Sequence, residues 1–308
     1  MGKQKLMLLS YLAKPFSLRA FVSGAFLMLF IQQLTAQNIE SFGVFGGINV
    51  PITIDKGLED DPRFVSKFSI VGTPFGFHYG YDKPGFGYVL SPSYLTVGQK
   101  FIIKNSTGGD VGTREINMDY FSLPIALKFH LNNLAFFRLS VVAALDFCFL
   151  IDGKETFTHS SAKLRYPAGV SIPTDPGYTI AYDGVFVPAV TDLVHVSKDK
   201  FNSFQLFGGV GMRADLDLSE EWSVMADGRA NFALFDSRNS AYLDQLANPS
   251  GAPDFFGNPG APDLSGTRRD VFLCFTLGIS RIITTKPKFK ERHSSPIPKM
   301  TYPKPKRK

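Results

Sequence analysis

Seven charged side chains recur at alternating positions within otherwise apolar segments: Lys128, Arg138, Asp146, Arg213, Asp215, Asp227 and Arg229, with His130 close to the first of them. Two aspartates and a histidine, here Asp146, Asp227 and His130, are the makings of a general acid–base group. The same residues have a plainer use. Charges of both signs on one face of a strand array neutralise one another as ion pairs wherever water is scarce, and that reading is preferred. No nucleophile motif and no metal-ligand spacing accompanies them, so no catalytic residue, cofactor or metal ion is expected. The two cysteines, Cys148 and Cys274, fall on the same parity as the charges but on nonadjacent strands. An oxidising compartment favours a disulfide, whereas a bond across the interior is geometrically hard, and the balance is against it.

What must position these side chains is a set of strands. In Phe121–Leu131 one parity reads Phe121, Leu123, Ile125, Leu127, Phe129, Leu131, and the other Ser122, Pro124, Ala126, Lys128, His130. Side chains of period two point to opposite faces, so one face is wholly apolar and the other mixed. Residues 135–149, 203–215, 222–234 and 271–280 repeat the pattern, and the noisier Phe42–Val50, Phe68–Tyr81 and Gly85–Val97 bring the count to eight. The connections alternate. Short joins fall at Tyr81–Pro84, Leu131–Asn133 and Leu218–Glu221, and long ones at about Ile52–Ser66, Gly98–Thr113, Asp152–Lys200 and Ser237–Arg269.

Tight turns at one end and long loops at the other are the form of an up-and-down barrel in a bacterial outer membrane. An eight-stranded interior is only just wide enough for side chains. The small and charged parity therefore belongs inside, and the Phe- and Leu-rich parity faces lipid. A soluble lipocalin-type barrel would require the reverse. The expected fold is all-β: an eight-stranded antiparallel up-and-down transmembrane barrel with long extracellular loops, its lumen plugged by the seven charges named above. Aromatics are 14% of the chain, 30 of its residues are phenylalanine, and only 19% are charged. After the amino-terminal region no apolar run approaches the roughly 18 residues that a membrane helix needs.

Residues 1–36 read as a secretory signal: Lys3, Lys5, Lys14 and Arg19 precede the apolar run Ala20–Ile31, and Leu34-Thr-Ala36 leads into Gln37. The barrel domain is expected over 37–284 and a disordered basic tail over 285–308. Of the net +6, residues 1–36 carry +4 and the tail +8, which leaves the barrel domain at −6. The basic balance thus belongs to a Pro/Lys-rich tail. It lacks the aromatic platform for stacking bases, so nucleic acid is excluded as a partner, and the tail is expected to reach peptidoglycan or an anionic headgroup. The other expected partners are outer-membrane lipid and an envelope protein complex. Among the loops, Lys154–Lys200 has enough aromatics to build a hairpin or cap. The last loop holds two near-copies of a turn unit, Asn248–Asp254 and Asn258–Asp263.

The Thr-Ala-Gln37 junction, the glycine-rich Gly43–Asn49, Tyr120-Phe-Ser-Leu-Pro-Ile-Ala-Leu-Lys-Phe129 and Gly208-Gly-Val-Gly-Met-Arg213 together resemble the PorT-like outer-membrane β-barrel family. The likeness spans most of residues 37–284, departing from it in the long third loop and the basic tail. It implies a barrel in the outer membrane of a Gram-negative bacterium. It also implies a role among diverse tasks, some tied to protein secretion and gliding. The resulting expectation is a non-enzymatic envelope anchor or accessory of a secretion or surface complex. The competing classes are a barrel enzyme acting on lipid or surface polymer and a secreted soluble barrel binding an apolar ligand.

Overall fold

The computed structural model describes residues 39–59, 61–133, 136–166, 172, 176–247 and 266–284. The expected signal over 1–36, the expected tail over 285–308 and the paired turn units of the last loop lie outside the described residues. Eight antiparallel staves form the body. They are β1 (Ile39–Asp55), β3 (Phe75–Lys83), an interrupted stave of β4 (Phe86–Leu90) and β5 (Ser93–Val97), β7 (Asp110–Asn133), β8 (Phe137–His159), β13 (Phe204–Asp217), β14 (Trp222–Ala233) and β15 (Arg268–Thr284). Consecutive staves pair, and β15 returns to β1 in unbroken register from Ile39↔Thr284 to Asp55↔Arg268. Closure leaves none of these staves with a free edge, which is what a strand needs where lipid cannot satisfy its backbone.

Local sequence explains the staves. β-Branched and aromatic residues alternate with small or polar ones, and the outer parity carries Phe42, Val44, Phe75, Phe77, Ile125, Leu127, Phe129, Val210, Met212, Phe275 and Leu277, all exposed. Glycine appears where strands approach closely: a Cβ on Gly47 would lie 2.2 Å from the Phe275 carbonyl oxygen. Gly98 is held at φ +138°, and a Cβ there would lie 1.9 Å from the Ile116 carbonyl oxygen. Gly98→Ala is expected to cost about 1–3 kcal/mol through this strain, read as a lower midpoint for loss of the heat-modifiable band.

Of the three predicted short joins, Leu218–Glu221 is met as expected, whereas β3 runs on through Lys83 and β7 through Asn133, over residues expected in the joins Tyr81–Pro84 and Leu131–Asn133, and the strands differ in detail. Phe68–Tyr81 is expected to be one strand, yet ladder pairing starts only at Phe75. Pro74 has no amide to donate, and upstream only Val71 bridges to Asn49. Gly85–Val97 breaks into β4 and β5 at Ser91-Pro92 for the same reason. The long loops are also shorter than their sequence gaps, because staves continue beyond the apolar belt. β2 (Phe64–Lys67) and β6 (Lys100–Lys104) pair beside β7, and β12 (Val190–Val196) pairs with the extension of β8. The cap expected within Lys154–Lys200 is a separate sheet of β9 (Ala162–Leu164), β10 (Thr179–Ala181) and β11 (Gly184–Val187). Two short helices, α1 (Lys56–Glu59) and α2 (Ser240–Leu246), complete the loop end, and the Asn239 side chain accepts from the Tyr242 amide to cap α2.

Candidate functional site

Inward residues succeed one another along each stave, so the interior is built in storeys. Nearest the tight turns lies a charged storey. Lys128 Nζ stands 2.7 Å from Asp82 Oδ1 and 3.4 Å from Asp215 Oδ2, and Arg213 Nε donates to Asp215 at 2.9 Å. Arg138 holds Asp217 with two parallel bonds of 2.6 and 2.8 Å, the planar fork matching the carboxylate. His130 does not join Asp146 and Asp227 as an acid–base group. Its Nδ1 lies 2.8 Å from Ser140 Oγ and its Nε2 3.5 Å from Asp82. Serine, histidine and aspartate are in line there, but Ser140 is wholly buried and a substrate has no approach to it.

One storey further in, Arg229 binds Asp227 through bonds of 2.7 and 2.6 Å. Asp146 departs from the ion-pair expectation: among the described residues its partners are Ser122 Oγ at 2.7 Å and Cys148 Sγ at 3.3 Å. Cys148 and Cys274 are both free, buried thiols. Asp146, Asp227, Arg229 and Cys274 border a cavity of about 40 Å³, room for a few waters at most.

Above this cavity the interior turns apolar. Leu95, Met118, Tyr120, Phe201, Phe207 and Phe272 are buried together. The Phe207 ring meets Phe272 edge-on at 5.3 Å and Tyr120 edge-on at 6.3 Å, the favoured aromatic geometry. This layer lies on the polar parity: Phe207 sits between Gln205 and Gly209, and Phe272 between Asp270 and Cys274. Nothing in a rule that assigns small and charged residues inward predicts it.

The loop end carries a second charged storey, absent from the sequence expectation. Buried Glu155 receives Arg268 Nη1 on one oxygen and Arg114 Nη2 on the other, both at 2.5 Å. Arg238 pairs with Asp236 at 3.0 Å and approaches Asp55 at 3.7 Å. Glu155 stands beyond the apolar belt, whose last outward residue on β8 is Ile151. Burial alone pushes its carboxyl up, but the Arg268 and Arg114 guanidiniums outweigh this and hold it well below the usual carboxylate range. His195 is lowered as well, by burial first and then by Arg114, which for an imidazole favours the uncharged form.

These groups surround a chamber of about 340 Å³. Along its wall guanidinium and ring alternate. Arg63 lies 4.1 Å from the Tyr166 centroid and 5.2 Å from Phe64, and Arg114 lies 4.9 Å from Phe64 and 5.2 Å from Phe157, which in turn packs on His195. One signal could have found part of this storey: Asp55 and Arg268 continue the inward parity of their staves. Glu155 falls on the outward parity of β8 and is turned inward only by a register shift between Asp119/Tyr120 and Asp152/Leu150, which no spacing in the sequence announces.

Among solved structures the chain is similar to OprG from Pseudomonas aeruginosa (10% identity over 80% of this chain and 96% of that one, TM-score 0.32). It is also similar to Ail of Yersinia pestis (10%, 79% and 98%, 0.31) and to the outer membrane protease OmpT from Escherichia coli (11%, 82% and 99%, 0.35). No curated protein matches it. The outer membrane protein beta-barrel domain matches residues 35–239, more than half of the chain. Together with the closed ring of lipid-facing staves, this match shows that the chain belongs to that family and resides in the outer membrane of a Gram-negative bacterium.

Proposed function

We propose that the protein is a non-enzymatic, non-conducting barrel that anchors a structured extracellular cap and serves as an accessory of a larger envelope complex. The observation that supports this most is the double seal of the interior: ion-paired Lys128, Arg138, Arg213, Asp215, Asp227 and Arg229, then the Tyr120–Phe207–Phe272 layer. A pore needs a wet path, and the barrel spends its lumen on packing instead. On this reading residues 1–36 direct export. β15 ends at Thr284 at the tight-turn end, the periplasmic side, and the cations of residues 285–308 suit peptidoglycan or an anionic headgroup. The resemblance of its sequence motifs to PorT-like barrels supports an accessory role in a secretion or surface complex.

The full mature protein, reconstituted in planar bilayers, is expected to give no conductance steps. Phe207→Ala with Phe272→Ala removes the apolar layer alone and is expected to stay silent too, because the ion-paired storeys still close the lumen. Steady ion conduction by the unmodified protein would overturn the reading.

A further inference from the structure

The chamber at the loop end has no part in sealing the lumen, and its lining is that of a binding site. We propose that it binds a small ring-bearing carboxylate, an aromatic acid or a sugar acid, held by the free edge of Arg268 and stacked on the aromatic wall.

Four observations carry this. Arg268 is 1% exposed, yet only its Nη1 is bonded, to Glu155; Nε and Nη2 have no hydrogen-bond partner. Those two nitrogens form one side of the planar fork, the side that accepts a carboxylate through two parallel bonds. Asp55 Oδ2 stands 3.8 Å from Nε and 3.7 Å from Arg238 Nη1, too far to hydrogen-bond either, while its Oδ1 accepts from the Gly57 amide at 2.9 Å. A buried donor pair left open is costly, so a site that keeps one open is arranged for an acceptor from outside.

Charge does not oppose the same class. The chamber is lined by Arg63, Arg114, Arg238 and Arg268 against Asp55, Asp61 and Glu155, and Asp236, bonded to Arg238, makes the set neutral, so an entering carboxylate meets no net negative charge. Size and shape supply the ring. The cavity of about 340 Å³ is at the small end of ligand pockets, which run from roughly 300 to 1,000 Å³. Tyr166, Tyr178, Tyr242, Phe64 and Phe157 offer flat faces and phenol hydroxyls around it, which suit a ring carrying few polar groups.

The test is titration calorimetry on the full mature protein in phosphatidylcholine nanodiscs, with benzoate and glucuronate as probes and benzamide and methyl glucoside as their neutral counterparts. At least one acid is expected to bind at a single site, and its neutral counterpart at least tenfold more weakly. Binding of benzoate alone assigns an aromatic acid, and binding of glucuronate alone a sugar acid. Tyr166→Ala and Tyr242→Ala are expected to weaken binding at least fivefold while the heat-modifiable band, and hence the folded barrel, is retained. The proposal is overturned if neither acid binds, if the neutral compounds bind as tightly, or if both wall variants bind like the parent. Failure on any of these grounds leaves the sealed, non-conducting lumen untouched, since conductance is measured separately.

Discussion

Asp215→Asn is expected to destabilise the barrel by about 3–5 kcal/mol, the usual cost of breaking a buried ion pair from one side. Asp215 is buried between Arg213 Nε at 2.9 Å and Lys128 Nζ at 3.4 Å. Lys128 keeps Asp82 after the change, but Arg213 has no other carboxylate among the described residues and is itself 2% exposed. The penalty is therefore that of an uncompensated buried guanidinium. Arg213→Met combined with Asp215→Leu removes both charges at similar volume, and is expected to be close to neutral or stabilising. Urea unfolding in detergent, followed by the heat-modifiable band, reads both. If the double variant is as damaged as the single one, the storey works by shape and not by charge balance.

The alternation of side chains made the body of the molecule legible. Parity on Phe121–Leu131 and Phe137–Phe149 puts Lys128, Arg138 and Asp146 on the inner face, and all three are buried there. The reading is direct because a one-residue slip would carry an entire row of Phe and Leu into the lumen. It weakens where period two is interrupted. Pro74 and Pro92 each remove a ladder donor, so the second and third staves are shorter than their apolar patterns suggest. Asp82 and Asp217, the partners of Lys128 and Arg138, sit at the last inward positions before tight turns, where strand and turn chemistry overlap.

The upper storeys escaped for a different reason. Composition separates lipid from lumen only while the outer face meets hydrocarbon. Above the belt Lys154 can face outward and Glu155 inward, and polarity no longer tells the faces apart. Phe207 and Phe272 also defeat a rule based on residue class, since a narrow barrel accepts large rings inward where they pack edge-on against one another. Pairing of Arg268 with Glu155 joins positions 113 residues apart, a closeness set by the register of the closed ring and by nothing local.

Glu155→Ala is the substitution expected to act most strongly on the extracellular cap. Glu155 occupies both Arg114 and Arg268 through its two oxygens, and its removal leaves two guanidiniums facing each other in a buried site. A loss of about 3–5 kcal/mol is expected, confined to the loop end, where Arg114 packs on Phe64 and Phe157 and those rings lie against the core shared by β6 and the cap sheet. Trypsin added to the folded protein should then cleave at Arg63, Lys163 and Arg165 far faster than in the parent, while the apolar belt keeps its heat-modifiable mobility. Acid should mimic the change. The folded carboxyl lies well below its unfolded value of 4.5, so its contribution is complete above about pH 4.5 and is lost progressively as pH falls towards the folded value. Trypsin is poorly active there, so the acid arm uses pepsin, which is expected to cut the parent cap more readily at pH 2.5 than at pH 4.5. With rates normalised to cleavage of an unfolded reference peptide at the same pH, the Glu155→Ala cap is expected to be cut about equally at both. Equal protection of parent and variant at neutral pH would mean that the cap is held by its apolar core of Ile103, Leu164, Val185 and Val187, with the arginine–glutamate bridge contributing little.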